Sequence, residues 1–209
     1  MGDNYVQSSP VLKYTDGTLV ATERVGPQGS KISDDLHGEL YESSRIGTLF
    51  WAANQAAITT TIALALTYTG LALYNPVGNS NNLILRAMSF KFSVAQAAIS
   101  QISLMGGYIS TGAITAHTTP LVYGTAMWPC NLGSTAVPTA LVDSAATIVG
   151  PKILMPLGGS FTAAALGGDT PSFNNFLGGI ILQPGAYIAV YTLTVSIGFA
   201  AFWWEEVAR

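Results

Sequence analysis

The chain is 209 residues long, 49% hydrophobic and only 9% charged, with a formal net charge of −3; a typical soluble domain is roughly 25% charged. Eight scattered bases against eleven acids lack the clustered basic face that a nucleic-acid binder needs. The single cysteine, Cys130, excludes an internal disulfide and leaves a zinc site without a thiolate pair.

The charges divide the chain. Residues 1–45 carry eleven of the 19, and the remaining 164 residues carry eight. A free monomer normally wears more charge on its surface. Either Thr, Ser, Asn and Gln cover the body, or much of its surface is buried in an assembly, and the second reading is the sharper one. Residues 1–45 read as an extended arm, in which short apolar stations including Tyr5, Leu12, Leu36 and Tyr41 are separated by Gly, Pro, Ser and charge. Such spacing closes no core of its own, but it can order on contact with another surface. The first residues, MGDNYVQSSP, show neither the basic start nor the apolar run of a signal peptide.

The body, residues 46–209, opens on Phe50-Trp51. The window Ala52 to Leu73 holds Asn54, Gln55 and several Thr, so no apolar run of membrane-spanning length survives there. Between Thr59 and Tyr74, Ala and Leu permit a helix, while Thr59-Thr60-Thr61-Ile62 and Thr67-Tyr68-Thr69 favour strands. Leu71 to Tyr74, the polar stretch Asn75 to Asn82 and Leu83 to Phe92 predict a hairpin. Ala98 to Ile109 is the next strand. From Ser110 to Leu177, short apolar runs are punctuated by Gly and Pro turns, which is the pattern of a sandwich or barrel.

Gly179 to Val207 reads as three strands. Ile180 to Leu182 stops at Gln183-Pro184-Gly185, Ala186 to Ser196 alternates with period two, and Phe199 to Val207 follows a break at Gly198. Pro184-Gly185 suits a type II turn. That turn fits a tight hairpin poorly, so it is expected at a sandwich corner. In a strand Trp203 and Trp204 face opposite ways, one to the core and the other to the surface or a subunit interface.

Catalytic groups are sparse. His37 and His117 are the only histidines; His117 with Asp143 can be written as part of a Ser-His-Asp set, but no G-x-S-x-G elbow accompanies it. Glu205-Glu206 should diverge across a strand, one of them at a solvated strand end, and so makes a poor general acid–base couple. Asp34-Asp35 reads as a helix start or loop. Gly26-Pro-Gln-Gly-Ser-Lys31 lacks phosphate-loop spacing. Gly168-Asp169-Thr170 and Asn174-Asn175 offer one carboxylate, too few for calcium. No catalytic residue, cofactor or metal is expected.

The polar arm, the segment LALYNPVGNSNNLILRAMSFKF and the ending GGIILQPGAYIAVYTLT…FWWEEV, with its Leu182-x-Pro184-Gly185-x-Tyr187 signature, resemble virion structural proteins of tailed bacteriophages, of the capsid decoration or cement type. The resemblance implies an all-β, jelly-roll-like sandwich, a homotrimer, attachment to the major capsid protein through extended termini, and a place on the capsid surface after synthesis in the host cytoplasm. Neither nucleic acid nor membrane is an expected partner. A receptor-binding or tail-spike head domain that recognises a host glycan is the alternative reading.

Overall fold

The computed structural model describes residues 39–60, 64–94, 98–160 and 172–209, and Leu40–Arg209 form one compact unit. Tyr5, Leu12 and Leu36 lie outside the described residues, as do His37, Asp34-Asp35, the Gly26 to Lys31 segment and Gly168-Asp169-Thr170. The unit opens with a short helix, α1 (Tyr41–Ile46), which ends on Gly47 in the left-handed region at φ +81° and spans the arm–body boundary expected at Arg45. No helix among the described residues is long and apolar enough to cross a membrane.

Twelve strands follow: β1 (Leu49–Ala53), β2 (Ile58–Thr59), β3 (Thr67–Tyr74), β4 (Asn81–Phe92), β5 (Ser100–Tyr108), β6 (Ile114–Pro120), β7 (Met127–Pro129), β8 (Leu141–Ile148), β9 (Lys152–Ser160), β10 (Ser172–Leu182), β11 (Ala186–Thr192) and β12 (Ile197–Ala208). One sheet runs β10-β4-β12-β1-β7, with β2 also paired to β12; the other runs β6-β8-β3-β11-β5-β9. Four antiparallel pairs are nested in sequence, β5 with β9, β4 with β10, β3 with β11 and β1 with β12. Alternate pairs fall in alternate sheets, which is the winding of a jelly roll. The stretch between β5 and β9 is an insertion: β8 and β6 widen the second sheet, and β7 extends the first.

The inner faces of the two sheets meet in a core that includes Phe50, Leu73, Leu85, Phe90, Leu104, Val190, Phe202 and Trp204. Each large side chain fully buried there is worth about 1.5–3 kcal/mol. A second cluster, with Tyr68, Ala72, Met105, Ile148, Tyr187, Ala189 and Tyr191, contains the residues of β11 that alternate with inward Ile188 and Val190. Both alternating sets of β11 are therefore buried, and the Tyr-rich set that period two separates from Ile188 and Val190 forms a core of its own.

Two local expectations change. The hairpin expected over Leu71 to Phe92 is not one, because β3 and β4 belong to different sheets. Asn75, wholly buried, closes that corner by donating from Nδ2 to the carbonyls of Leu182 (2.8 Å) and Asn81 (3.0 Å). Gly198 breaks nothing. It lies within β12 opposite Phe92, where a Cβ would stand 2.5 Å from the Lys91 carbonyl oxygen. Glycine here permits close approach of two backbones. The turn at Pro184-Gly185 is as expected: Gly185 has φ +93°, Ala186 N–H bonds to Gln183 O at 3.0 Å, and the chain passes from β10 in one sheet to β11 in the other.

Candidate functional site

The outward face of the first sheet gathers most of the tryptophan. Trp204 is fully buried and stacks on Phe50 in the core, whereas Trp203 points outward. Trp203 pairs in register with Trp51, and Trp51 with Trp128. Directly opposed residues share a face of a sheet, so three of the four tryptophans form one row across β7, β1 and β12, each half-buried. Phe173 on β10 extends this aromatic shelf, its ring edge-on to Trp203 at 5.4 Å.

A β-bulge sits beside the row. Trp203 pairs with Ala87 and Trp204 with Leu85, so Arg86 has no opposite number on β12. The extra residue shifts the inward set of β4 from Leu83 and Leu85 to Met88, Phe90 and Phe92, as bulges do. Arg86 thereby meets Glu205, with Nε–Oε2 at 3.1 Å and a second contact from Nη2. The Ser43 hydroxyl of α1 donates to the other oxygen of Glu205. Between these groups is an apolar cavity of about 240 Å³, lined by Leu40, Leu49, Ala87, Cys130 and Trp203 among others. Burial pushes the Cys130 thiol up to about 11.

On the far side of β4, β10 carries a larger bulge. Asn175 pairs with Ala87 and Ile180 with Leu85, so residues 176–179 loop out. Leu177 at the tip has φ +49° and is 69% exposed. The left-handed region suits glycine and disfavours branched side chains. The Asn175 side chain holds the loop by accepting the Leu177 N–H at 2.9 Å.

The second sheet holds a different arrangement. His117 on β6 and Asp143 on β8 are in contact, Nδ1 to Oδ2 at 2.7 Å, with Asp143 wholly buried. The Tyr74 ring lies 5.6 Å from the imidazole. Burial raises the Asp143 carboxyl above its usual range, opposed by the hydrogen bond and charge of His117. Asp143 Oδ1 and the Tyr187 hydroxyl are buried without a partner. The histidine and aspartate of the Ser-His-Asp set written from the sequence do meet. Among the described residues no serine or threonine hydroxyl hydrogen-bonds to His117. No described group of three or more His, Cys, Asp or Glu could hold a metal.

Glu205 and Glu206 diverge, as adjacent strand residues must, but neither sits at a solvated strand end. Glu206 is also buried and accepts from the backbone N–H groups of Thr139 (2.9 Å) and Ala140 (3.0 Å) and from Trp204 Nε1 (3.2 Å). Its role is to clamp the end of β12 to the 139–140 loop. Of the candidate docking residues, Tyr41 lies on α1 and is 42% exposed. The tryptophan row, the Arg86–Glu205 pair and the β10 bulge were not found from sequence, because each depends on strands distant in the chain. Asn175 followed by Leu177-Gly178-Gly179 was the one local signal of the bulge. Comparison with known protein families, curated proteins and solved structures finds no match to this chain.

Proposed function

We propose that this protein is a non-enzymatic structural subunit of a bacteriophage particle: a trimeric cement protein that docks on the major capsid protein and stabilises the head. The observation that carries this reading is the poverty of charge on a jelly-roll body whose surface bears many large apolar side chains, Ile153, Leu154, Phe173, Leu177 and Ile181 among them. Contiguous exposed apolar surface is a property of interaction sites. Closed rotational symmetry hides such surface without leaving open ends. The arm, with Tyr5, Leu12, Leu36 and Tyr41, supplies the attachment to the shell, and three arms per trimer bind with avidity. Two measurements test the reading. Light scattering should give three times the 21.8 kDa chain mass, and the protein should co-sediment with capsids that lack it. A monomer that ignores such capsids would sink the proposal.

A second reading is favoured by the row Trp51, Trp128 and Trp203 with Phe173 beside it. The three indoles stand on neighbouring strands about 4.8 Å apart and share one face of the sheet, a row on which the apolar faces of sugar rings can stack. On that reading the protein is a receptor-binding head domain that recognises a host glycan. Retention on a glycan array, abolished by Trp51→Ala, separates this reading from the first.

A further inference from the structure

We propose that the apolar cavity beside Trp203 is the subsite for the acetamido group of an N-acetylated sugar, in a glycan laid along the tryptophan row. The inference rests on the reading of the protein as a glycan-binding head domain and names the class of sugar. Trp203 belongs to both features: it pairs in register with Trp51, and it forms part of the cavity wall. A sugar ring stacked on Trp203 therefore has the cavity at its edge. The space of about 240 Å³ is bounded by Leu40, Leu49, Ala87, Cys130 and Phe173 besides that indole. It takes a small substituent together with the ring edge that bears it. The surroundings are those of a built site. Arg86 and Asn175, one at the bulge of β4 and one at the bulge of β10, both line the cavity, and bulges re-aim side chains beside functional sites. Asn175 also holds Leu177 at φ +49°, and backbone strain of this kind gathers at ligand sites.

The chemistry of the wall selects the substituent. Arg86 reaches the wall, but its charge is met: Nε donates to Glu205 Oε2 at 3.1 Å, and Gly178 packs so close to Nη1 that a Cβ there would stand 3.1 Å away. An acidic sugar would have to break this pair and leave buried Glu205 without compensation. The sugar is therefore a neutral one. A bare hydroxyl directed into the cavity would lose hydration and leave the apolar walls uncovered. An acetamido group turns a methyl to those walls and keeps one polar edge. Asn175 meets that edge. Its Oδ1 accepts the Leu177 N–H at 2.9 Å, so its Nδ2–H groups are the donors left for a ligand carbonyl. Apolar lining with a few placed polar groups that fix orientation is the make-up of a small-ligand pocket.

The test uses the full chain and two probes, chitotriose and cellotriose, which carry acetamido groups and hydroxyls respectively on the same sugar backbone. Titration calorimetry on the wild type should show chitotriose binding at least about tenfold tighter. Cys130→Met extends an unbranched side chain into the cavity. It should weaken chitotriose alone and reduce the preference to about twofold or less. Ala87→Val, with a strand-forming side chain, should act likewise should Cys130→Met fail to fold, thermal melts showing which variants are folded. Trp51→Ala removes a stacking partner outside the cavity wall and should weaken both probes alike. If the wild type binds both probes equally, the cavity is not an acetamido subsite, and the glycan reading survives. A preference that persists in the folded cavity variants places the acetamido group elsewhere and overturns the inference. If neither probe binds, the inference falls; retention of another glycan on an array would keep the glycan reading, and an empty array would end it.

Discussion

Gly185 illustrates what a single position can dictate. At φ +93° any Cβ is strained, and here it would also collide with the Ile109 carbonyl oxygen. Gly185→Ala should therefore cost about 2 kcal/mol or more, read as a lower urea midpoint; an unchanged midpoint would mean that the corner relaxes freely. Asp143 makes a prediction with a sign. Its folded-state carboxyl is raised by burial, so the folded protein holds that proton more tightly than the unfolded chain does. Stability from this group is fully present below the ordinary carboxylate value of about 3.9 and is lost as pH rises through the raised value. Asp143→Asn keeps an acceptor for the His117 N–H and removes the charge. The stability of the variant relative to wild type should climb as pH rises from the ordinary carboxylate range through the raised value, measured by urea melts at each pH. A flat difference would show that His117 neutralises the burial cost completely.

At the scale of elements, the decisive device is the bulge on β4. It turns Arg86 toward Glu205, and Glu205 in turn receives the Ser43 hydroxyl of α1. Both charged side chains are mostly buried, 18% and 11% exposed. Removing one partner leaves the other charge without compensation. Arg86→Ala should cost about 2–3 kcal/mol in a thermal or urea melt, somewhat less than breaking a fully buried pair because water still reaches both groups. Arg86→Met with Glu205→Leu should recover most of that loss, because an apolar pair of similar volume avoids the desolvation cost. A double variant no better than Arg86→Ala would mean that the pair specifies the bulge itself.

For the whole molecule, the compact unit begins at Leu40 and already contains α1, which is tied to β12 through Ser43 and Glu205. Removing residues 1–38 should therefore leave a body that melts within a few degrees of the full chain. On the proposed function it should coat capsids far less well, since Tyr5, Leu12 and Leu36, three of the four apolar stations that anchor it, are gone. A thermal melt and a capsid co-sedimentation assay on the same truncated protein decide both halves. Full occupancy without the arm would move the anchor to the body. A truncated chain that does not fold would make the arm part of the core.

Much of the architecture was legible from local rules. Pro184-Gly185 specifies its turn because ring closure sets one φ and the absence of Cβ frees the next. Period two in the last third of the chain announces strands, and Trp203-Trp204 must diverge because neighbouring strand residues always do. Hydrophobic runs between Gly and Pro turns likewise identify an all-β sandwich. What only the tertiary structure decided was which strands meet. β3 and β4 look like a hairpin, yet Asn75 turns the chain into the other sheet. His117 reaches Asp143, Arg86 reaches Glu205, and three tryptophans from three strands align in one row. None of these contacts has a local sequence signal, because each depends on a pairing register between distant segments, and that register is chosen by the burial of the whole core.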